Sequence, residues 1–252
     1  MALPKTPSFR LDGRRALVTG ASRGVGLGAA TALAEAGAGL VMVALGKDRI
    51  EEAAAALRDA GHSTEGHGLD ITDRAATAAF VVEHGPFDIL VNSAGMARHG
   101  PALETTEADF DAVAGLNLKA AYFLAQDVAR TMVGRGGSII QISSQMGHVG
   151  GIDRGVYAAT KHAVEGMTKS MAIEWGPENI RVNTICPTFI RTPLTASTFA
   201  DPARRAWIEE KIKLPRIGEV EDVMGAVVFL ASDASSMVTG AALLIDGGWT
   251  AG

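Results

Sequence analysis

Short apolar runs without polar alternation recur along the chain, separated by longer alanine-rich stretches of helical period. Residues 16–19, 40–44, 65–69, 89–92, 138–143, 181–185 and 242–245 are read as strands, the third being the weakest. Uniformly apolar strands of this length belong in a parallel sheet covered on both faces. Helices are expected over residues 25–36, 49–60, 75–83, 107–133, 156–175 and 220–230. The alternation predicts repeated βαβ units, an α/β fold with a doubly wound parallel sheet of seven strands and helices on both faces. No change of rhythm marks a boundary, so residues 1–252 are expected to form a single domain. Only residues 187–215 break the pattern, with Pro193, Pro202, Pro215 and a charged helical patch at 203–213. This segment is expected to be a mobile insertion over the carboxyl edge of the sheet.

Composition narrows the function classes. The net charge is -5, so a concentrated basic face for nucleic acid is not expected. The amino terminus has no apolar run of signal-peptide type, and the longest apolar stretch, residues 38–45, is far below the roughly 18 residues of a membrane span. A single cysteine, Cys186, excludes an intramolecular disulfide and fits a reducing compartment. A cytoplasmic protein is therefore expected, with no membrane and no nucleic-acid partner. Glycine accounts for 30 of the 252 residues without any collagen-like period, which implies many tight turns.

The most informative glycines follow the first strand. There Thr19-Gly20-Ala21-Ser22-Arg23-Gly24-Val25-Gly26-Leu27-Gly28 leads directly into a helix. Glycine permits close backbone approach, and a helix start presents unpaired N–H groups, so this geometry suits a pyrophosphate. Alone the spacing is a weak signal; after the first strand of an α/β chain it reads as a Rossmann-like dinucleotide loop.

From here the sequence resembles the short-chain dehydrogenase/reductase family. The glycine loop is similar to that family's Thr-Gly-x-x-x-Gly-x-Gly. The match continues in order through Asp70, Asn92-Ser93-Ala94-Gly95, Asn117, Ser144, Tyr157-Ala158-Ala159-Thr160-Lys161 and Pro187-x-x-Ile190-x-Thr192. Two positions depart from the pattern. Ser93 replaces the commoner second Asn of its turn, and Thr188 replaces the Gly that usually follows the Pro. The resemblance implies a dinucleotide held by Gly20, Ser22, Arg23, Gly24, Val25, Gly26, Ile71 and the Asn92, Ala94 and Gly95 turn. It further assigns Asp70 to the adenine amino group, and Pro187, Ile190 and Thr192 to the nicotinamide carboxamide. Taken alone, Asp70 is equally an N-cap of the next helix, a role for which Thr72 competes.

Tyr157 and Lys161 are four apart and share a helix face. A free phenol has a pKa of about 10. An ammonium about 4 Å away at an effective dielectric near 20 is worth ~4 kcal/mol, enough to move that pKa by about three units. Tyr157 is thus the expected general acid for carbonyl reduction and base for alcohol oxidation, also in contact with the cofactor together with Lys161. Ser144 is expected to hold the substrate oxygen toward the phenol. Asn117 fits the family's role of anchoring a water that links Lys161 to solvent. Gln145, His148 and Phe189 are the candidate substrate contacts, and His99 and Arg154 sit on loops expected to face the pocket. Phe199 and Trp207 read either as pocket wall or as core of the insertion. No metal is expected, because His62 and His67 have no third ligand near them in sequence.

The second strand ends Val43-Ala44-Leu45-Gly46-Lys47 with no acid to pair with the ribose hydroxyls and repel a 2′-phosphate, whereas Arg23 and Lys47 would balance one. The reading leans to NADP over NAD. The expected reaction interconverts a secondary alcohol and a ketone, on a sugar, sugar acid or polyol. The closing Asp246-Gly247-Gly248-Trp249 is similar to sugar-acid-oxidising relatives. The alternative is reduction of a 3-oxoacyl thioester, against which stands the absence of basic residues in Met171-Ala172-Ile173-Glu174-Trp175. A non-catalytic nucleotide-sensing protein would show a decayed Tyr-x-x-x-Lys pair, and the pair is intact. Val164, Met167 and Met171 form one stripe of the helix and Ala159, Ala163, Gly166 and Ser170 a small-residue stripe opposite the catalytic side, so a symmetric homotetramer is expected.

Overall fold

A computed structural model describes residues 1–252. Its strands are β1 (Arg15–Thr19), β2 (Gly39–Ala44), β3 (Thr64–Gly68), β4 (Ile89–Asn92), β5 (Gly137–Ile142), β6 (Ile180–Pro187) and β7 (Ala242–Ile245). The helices are α1 (Gly24–Glu35), α2 (Lys47–Asp59), α3 (Arg74–His84), α4 (Glu107–Ala114), α5 (Ala121–Met132), α6 (Gly155–Trp175), α7 (Ala196–Ala200), α8 (Pro202–Lys211) and α9 (Glu221–Ala231). All seven strands pair in parallel, in the order β3-β2-β1-β4-β5-β6-β7. The order reverses between β1 and β4, which opens a crevice at their carboxyl ends where ligands of such sheets bind.

The uniform apolarity of the strands follows from this layering. Leu40 and Met42 of β2 point into a core shared with α1, α2 and α9, whereas Val41 and Val43 point into a second core shared with α3, α5 and α6. Both members of each alternating pair are buried, so no polar face interrupts the run. At the two edges the cover is thinner: β3 is mostly half-buried and polar, and Leu244 of β7 is exposed.

The helix expected over 107–133 forms over 107–132, but its middle turn is not α-helical. Gly115–Ala120 form a π turn between α4 and α5, with Asn117 inside it. A widened turn of this kind is common at functional sites, and here a side-chain clamp described below accompanies it. The N-cap of α3 is neither Asp70 nor Thr72. Asp73 accepts hydrogen bonds from the N–H groups of Ala75 and Ala76, while Asp70 folds back to accept from the N–H and hydroxyl of Thr72. The insertion is tied at both ends: Ile190 bridges Gly218, and the N–H groups of Lys213 and Leu214 donate to the Gly247 carbonyl. Between these ties, Asp201 caps α8, whose Ile208 is fully buried. No helix is long and apolar enough to cross a membrane.

Candidate active site

The loop after β1 forms a cradle at the crevice. Gly20 and Gly24 adopt φ of +64° and +56°, the left-handed region that favours glycine. A Cβ on Gly26 would lie 2.3 Å from the Gly20 carbonyl oxygen, and one on Gly20 would lie 2.9 Å from Cα of Ala94. No side chain fits between these backbones. The α1 start has no side-chain cap and no acid in its first turn, so its N–H groups stay open to an anion. The cradle therefore fits a pyrophosphate. Gly28 serves packing instead, because a Cβ there would meet Val220 Cγ1 at 2.2 Å.

Thr19 joins β1 to the neighbouring turn. Its hydroxyl donates to Asn92 Oδ1 (3.0 Å) and accepts from the N–H groups of Ser93 and Ala94 (3.1 Å each). Asn92 in turn donates to the Ala121 carbonyl, and its side chain is buried. The amide expected to line the cofactor is thus spent inside the protein, as a buried amide must be. What Thr19 anchors, the Ser93 and Ala94 backbone, is what meets the cradle at Gly20, while Gly95 lies against Asn117. Asp70 is exposed at the end of β3, and the following Ile71 is buried. Across the crevice, Pro187 ends β6 and the Thr192 side chain reaches 3.4 Å from where a Gly24 Cβ would stand. The Thr192 and Thr195 hydroxyls lie 3.3 Å apart. Ser22 and Val25 are half-buried in the cradle, and Arg23 is exposed beside it.

The chemical group sits where β5 hands over to a short 3-10 turn and α6 begins. Ser144 is buried and its Oγ accepts from the Met146 N–H. Burial pushes the Tyr157 phenol above its ordinary value, while a hydrogen bond from Ser144 and the charge of Arg154 pull the other way. Lys161 donates to the Ile142 carbonyl at 2.8 Å, with Nζ 5.6 Å from the Tyr157 ring centre. Its own pKa is pulled down to about 8 by burial, with the neighbouring Cys186 and Glu165 acting in the opposite direction. This corrects the expectation of a phenol already acidified by Lys161. Sharing a helix face sets the turn on which the ammonium lies, but its hydrogen bond to a strand carbonyl sets where it points. Asn117 clamps Met96, accepting from its N–H (2.9 Å) and donating to its carbonyl (2.8 Å), and approaches Thr160 Oγ1 at 3.4 Å.

Tyr157 opens into a cleft of about 510 Å³ lined by Ser144, Gln145, Arg154, Thr188 and Phe189 among others. Several polar atoms there are buried without a partner: both amide atoms of Gln145, Nη1 of Arg154 and Oγ1 of Thr188. His99 stands edge-on to Tyr157, its ring centre 6.0 Å away, and burial together with Arg154 and Arg204 lowers its pKa to about 4. It is neutral at pH 7. His148 does not line the cleft; its Nε2 lies 3.8 Å from buried Glu165, which also accepts from the Thr184 hydroxyl. Phe189 packs on Trp249 (5.6 Å), which packs on Trp207 (5.1 Å), so the insertion and the carboxyl-terminal tail share one aromatic cluster. Thr188 was legible only as a departure from the family's glycine; its place in the cleft comes from the fold. His67 does acquire neighbours in space: Glu65 and His84, a group in which Glu65 also pairs with Arg15.

Cradle and cleft share the carboxyl edge of one parallel sheet, the arrangement of dinucleotide-dependent oxidoreductases. A family model described as enoyl-(acyl carrier protein) reductase matches residues 20–250. The gluconate 5-dehydrogenase of Gluconobacter oxydans is 38% identical over 247 residues, covering 96% of each chain. The L-xylulose reductase of Bos taurus is 40% identical over 245 residues, 96% of this chain and 99% of that one. A gluconate 5-dehydrogenase from Burkholderia cenocepacia, crystallised with NADP and tartrate, superposes with a TM-score of 0.92 at 38% identity, covering 97% of this chain and 98% of that one. The chain belongs to the short-chain dehydrogenase/reductase family. It is accordingly an NAD(P)-dependent oxidoreductase acting on CH–OH groups.

Proposed function

We propose that the protein interconverts a secondary alcohol and a ketone on a sugar, sugar acid or polyol, with NADP preferred over NAD. The observation that carries this reading is the set of unpartnered polar atoms in the cleft. An unpaired buried amide or hydroxyl costs ~1–3 kcal/mol, and the three residues that carry four such atoms, Gln145, Arg154 and Thr188, all line one cleft, whose polar wall suits a substrate dense in hydroxyl and carboxyl oxygens. An acyl chain would leave them unsatisfied. Relatives named for gluconate and L-xylulose support the same class.

A bound nicotinamide accepts or delivers the hydride. The chain's part is to move the proton: Tyr157 gives it to the carbonyl oxygen in reduction and takes it from the hydroxyl in oxidation. Ser144 holds that oxygen against the phenol, and Gln145 and Phe189 bound the rest of the molecule. Lys161 supports Tyr157 and the cofactor side, and Asn117 fixes the Met96 loop beside them. The whole chain acts as one dinucleotide-binding catalytic domain, with residues 187–215 as its substrate loop, and we place it in the cytoplasm.

Support for NADP comes from the start of α2. Arg23 and Lys47 are exposed and without ion pairs, Leu45 is 76% exposed, and no acid ends β2. The Burkholderia relative was crystallised with NADP. A panel of ketoses, polyols, aldonates and acyl thioesters, each run with both reduced or both oxidised cofactors, tests the proposal. The expected result is turnover of sugar-type substrates and at least tenfold higher kcat/KM with the phosphorylated cofactor, about 1.4 kcal/mol. Ala44→Asp should pull that ratio toward NAD by repelling the 2′-phosphate. A wild-type enzyme that prefers NADH tenfold would show that Arg23 and Lys47 are only solvated surface. Turnover confined to acyl thioesters would replace the substrate class.

We further propose a homotetramer. On α6, Ala159, Gly166, Ser170 and Ile173 are exposed, the last at 78%, and β7 leaves an open sheet edge. Two such uncovered surfaces suit two isologous interfaces. Light scattering at micromolar concentration should give the mass of four chains. The mass of one chain sinks the proposal, and a stable dimer leaves one interface standing.

A further inference from the structure

Arg154 is the residue of the cleft for which the fold provides no answer. It is 94% buried, since its relative exposure is only 6%, and Nη1 has no hydrogen-bond partner. No carboxylate pairs with it. The adjacent Asp153, held at φ +60°, turns to Arg204 instead, with Oδ2 3.3 Å from Nη2. The guanidinium lies over the Phe189 ring, 5.8 Å from its carbon to the ring centre. None of the cleft-lining residues is an Asp or Glu, and the nearby His99 is neutral at pH 7. Arg154 is thus the only formal charge on the wall of the cleft, positive and without an ion-pair partner, with the adjacent Asp153 the only carboxylate acting on it from beyond the wall. A buried charge is tolerated only when something pairs with it.

Two internal candidates for that partner fail. The Tyr157 hydroxyl is a phenol, not a phenolate, over the neutral range, because burial raises its pKa. Glu165, a buried carboxylate that does not line the cleft, is held by Thr184 and Cys186. The partner must come with the substrate.

We propose that Arg154 binds a substrate carboxylate, so that the enzyme acts on sugar acids in preference to the matching neutral polyols. The planar guanidinium presents parallel N–H donors that match both carboxylate oxygens, and the Phe189 face keeps the plane fixed. Arg154 immediately precedes α6, and Tyr157 lies three residues on, so the two side chains stand over adjoining parts of the same helical turn. A carboxylate on Arg154 therefore places a hydroxyl-bearing carbon farther along the chain of the acid beside Tyr157 and Ser144. Gln145 lines the same stretch of the cleft, where the hydroxyls between would lie. This inference rests on the sugar-type substrate class proposed above and narrows it to one member.

The test compares matched pairs that differ only at the terminal carbon, gluconate against sorbitol and xylonate against xylitol, with saturating oxidised cofactor. Wild type should favour the acid in kcat/KM, mainly through KM. Arg154→Gln, similar in reach but uncharged, should reduce the acid-to-polyol ratio by roughly 30-fold or more. Arg154→Lys should keep part of the preference, because charge survives without the planar fork. Titration of each variant with NADPH, followed by tryptophan fluorescence, verifies that it is folded. Should Arg154→Gln fail that check, the wild-type and Arg154→Lys ratios decide. Equal turnover of acid and polyol by wild type overturns the inference while leaving the sugar-type function intact. So does an Arg154→Gln variant that loses both substrates in the same proportion, with a shifted pH profile, since that marks action through Tyr157. Failure to turn over either member of either pair overturns the sugar-type reading itself, and this inference with it.

Discussion

Replacing Tyr157 with Phe is expected to lower kcat by roughly 10³-fold, about 4 kcal/mol in activation free energy, while the dinucleotide still binds. The substitution keeps the ring that fills the α6 face and removes only the hydroxyl that Ser144 orients. No other proton donor is placed to replace it: His99 is edge-on to the ring and unprotonated above about pH 4, and Lys161 is turned to the Ile142 carbonyl. The same geometry sets the sign of the pH dependence. Burial raises the phenol's pKa, so the free enzyme carries the proton needed for reduction throughout the neutral range. Reduction should stay level there and fall as pH rises through that raised value; oxidation, which needs the phenolate, should climb over the same range. Steady-state rates in both directions across pH check this. Retention of a tenth of wild-type activity by Tyr157→Phe would remove Tyr157 from the acid/base role.

Gly26→Ala is expected to weaken dinucleotide binding by roughly 100-fold or more, and to lower the thermal transition of the cofactor-free protein as well. The added Cβ would lie 2.3 Å from the Gly20 oxygen and 2.7 Å from its carbonyl carbon, both backbone atoms that no rotamer change can clear. Gly20 cannot retreat either, because it already abuts the Ala94 backbone. The cradle must open, and the N–H groups of the α1 start lose their aim at a pyrophosphate. Gly225→Ala in α9 is the control, since a Cβ there meets nothing within 4 Å and replacing a helical glycine should stabilise by about 0.5–1 kcal/mol. Fluorescence titration with NADPH measures the difference. Binding by Gly26→Ala within threefold of wild type would show that the cradle does not hold the pyrophosphate so closely.

Much of the fold was legible because its signals are local. Strands covered on both faces are apolar at every position, so β1, β2, β4, β5, β6 and β7 announce themselves in runs of a few residues. Edge strand β3 was faint for the converse reason, with its Thr-Glu-Gly-His-Gly facing partly to solvent. The helix over 107–132 was legible from its period, but the widening of its middle turn was not. That π turn coincides with Asn117 holding Met96, a contact across 21 residues of chain that local periodicity does not register. The cap of α3 was misassigned among neighbours of similar chemistry, because Asp70, Thr72 and Asp73 all bear capping oxygens and only the path of the turn selects one.

By itself the sequence determined the βαβ order, the glycine cradle and the register of Ser144, Tyr157 and Lys161, since each depends on backbone conformation and spacing within a few residues. The tertiary structure alone decided which polar groups are already spent and which remain free. Asn92 is consumed by Thr19 and Ala121, His148 is drawn to Glu165, and Lys161 to the Ile142 carbonyl. Gln145, Thr188 and Arg154 are left facing the cleft without partners. Residue type states what a side chain can donate or accept, but whether that capacity is satisfied depends on segments far apart in the chain. The unsatisfied remainder is what a substrate meets.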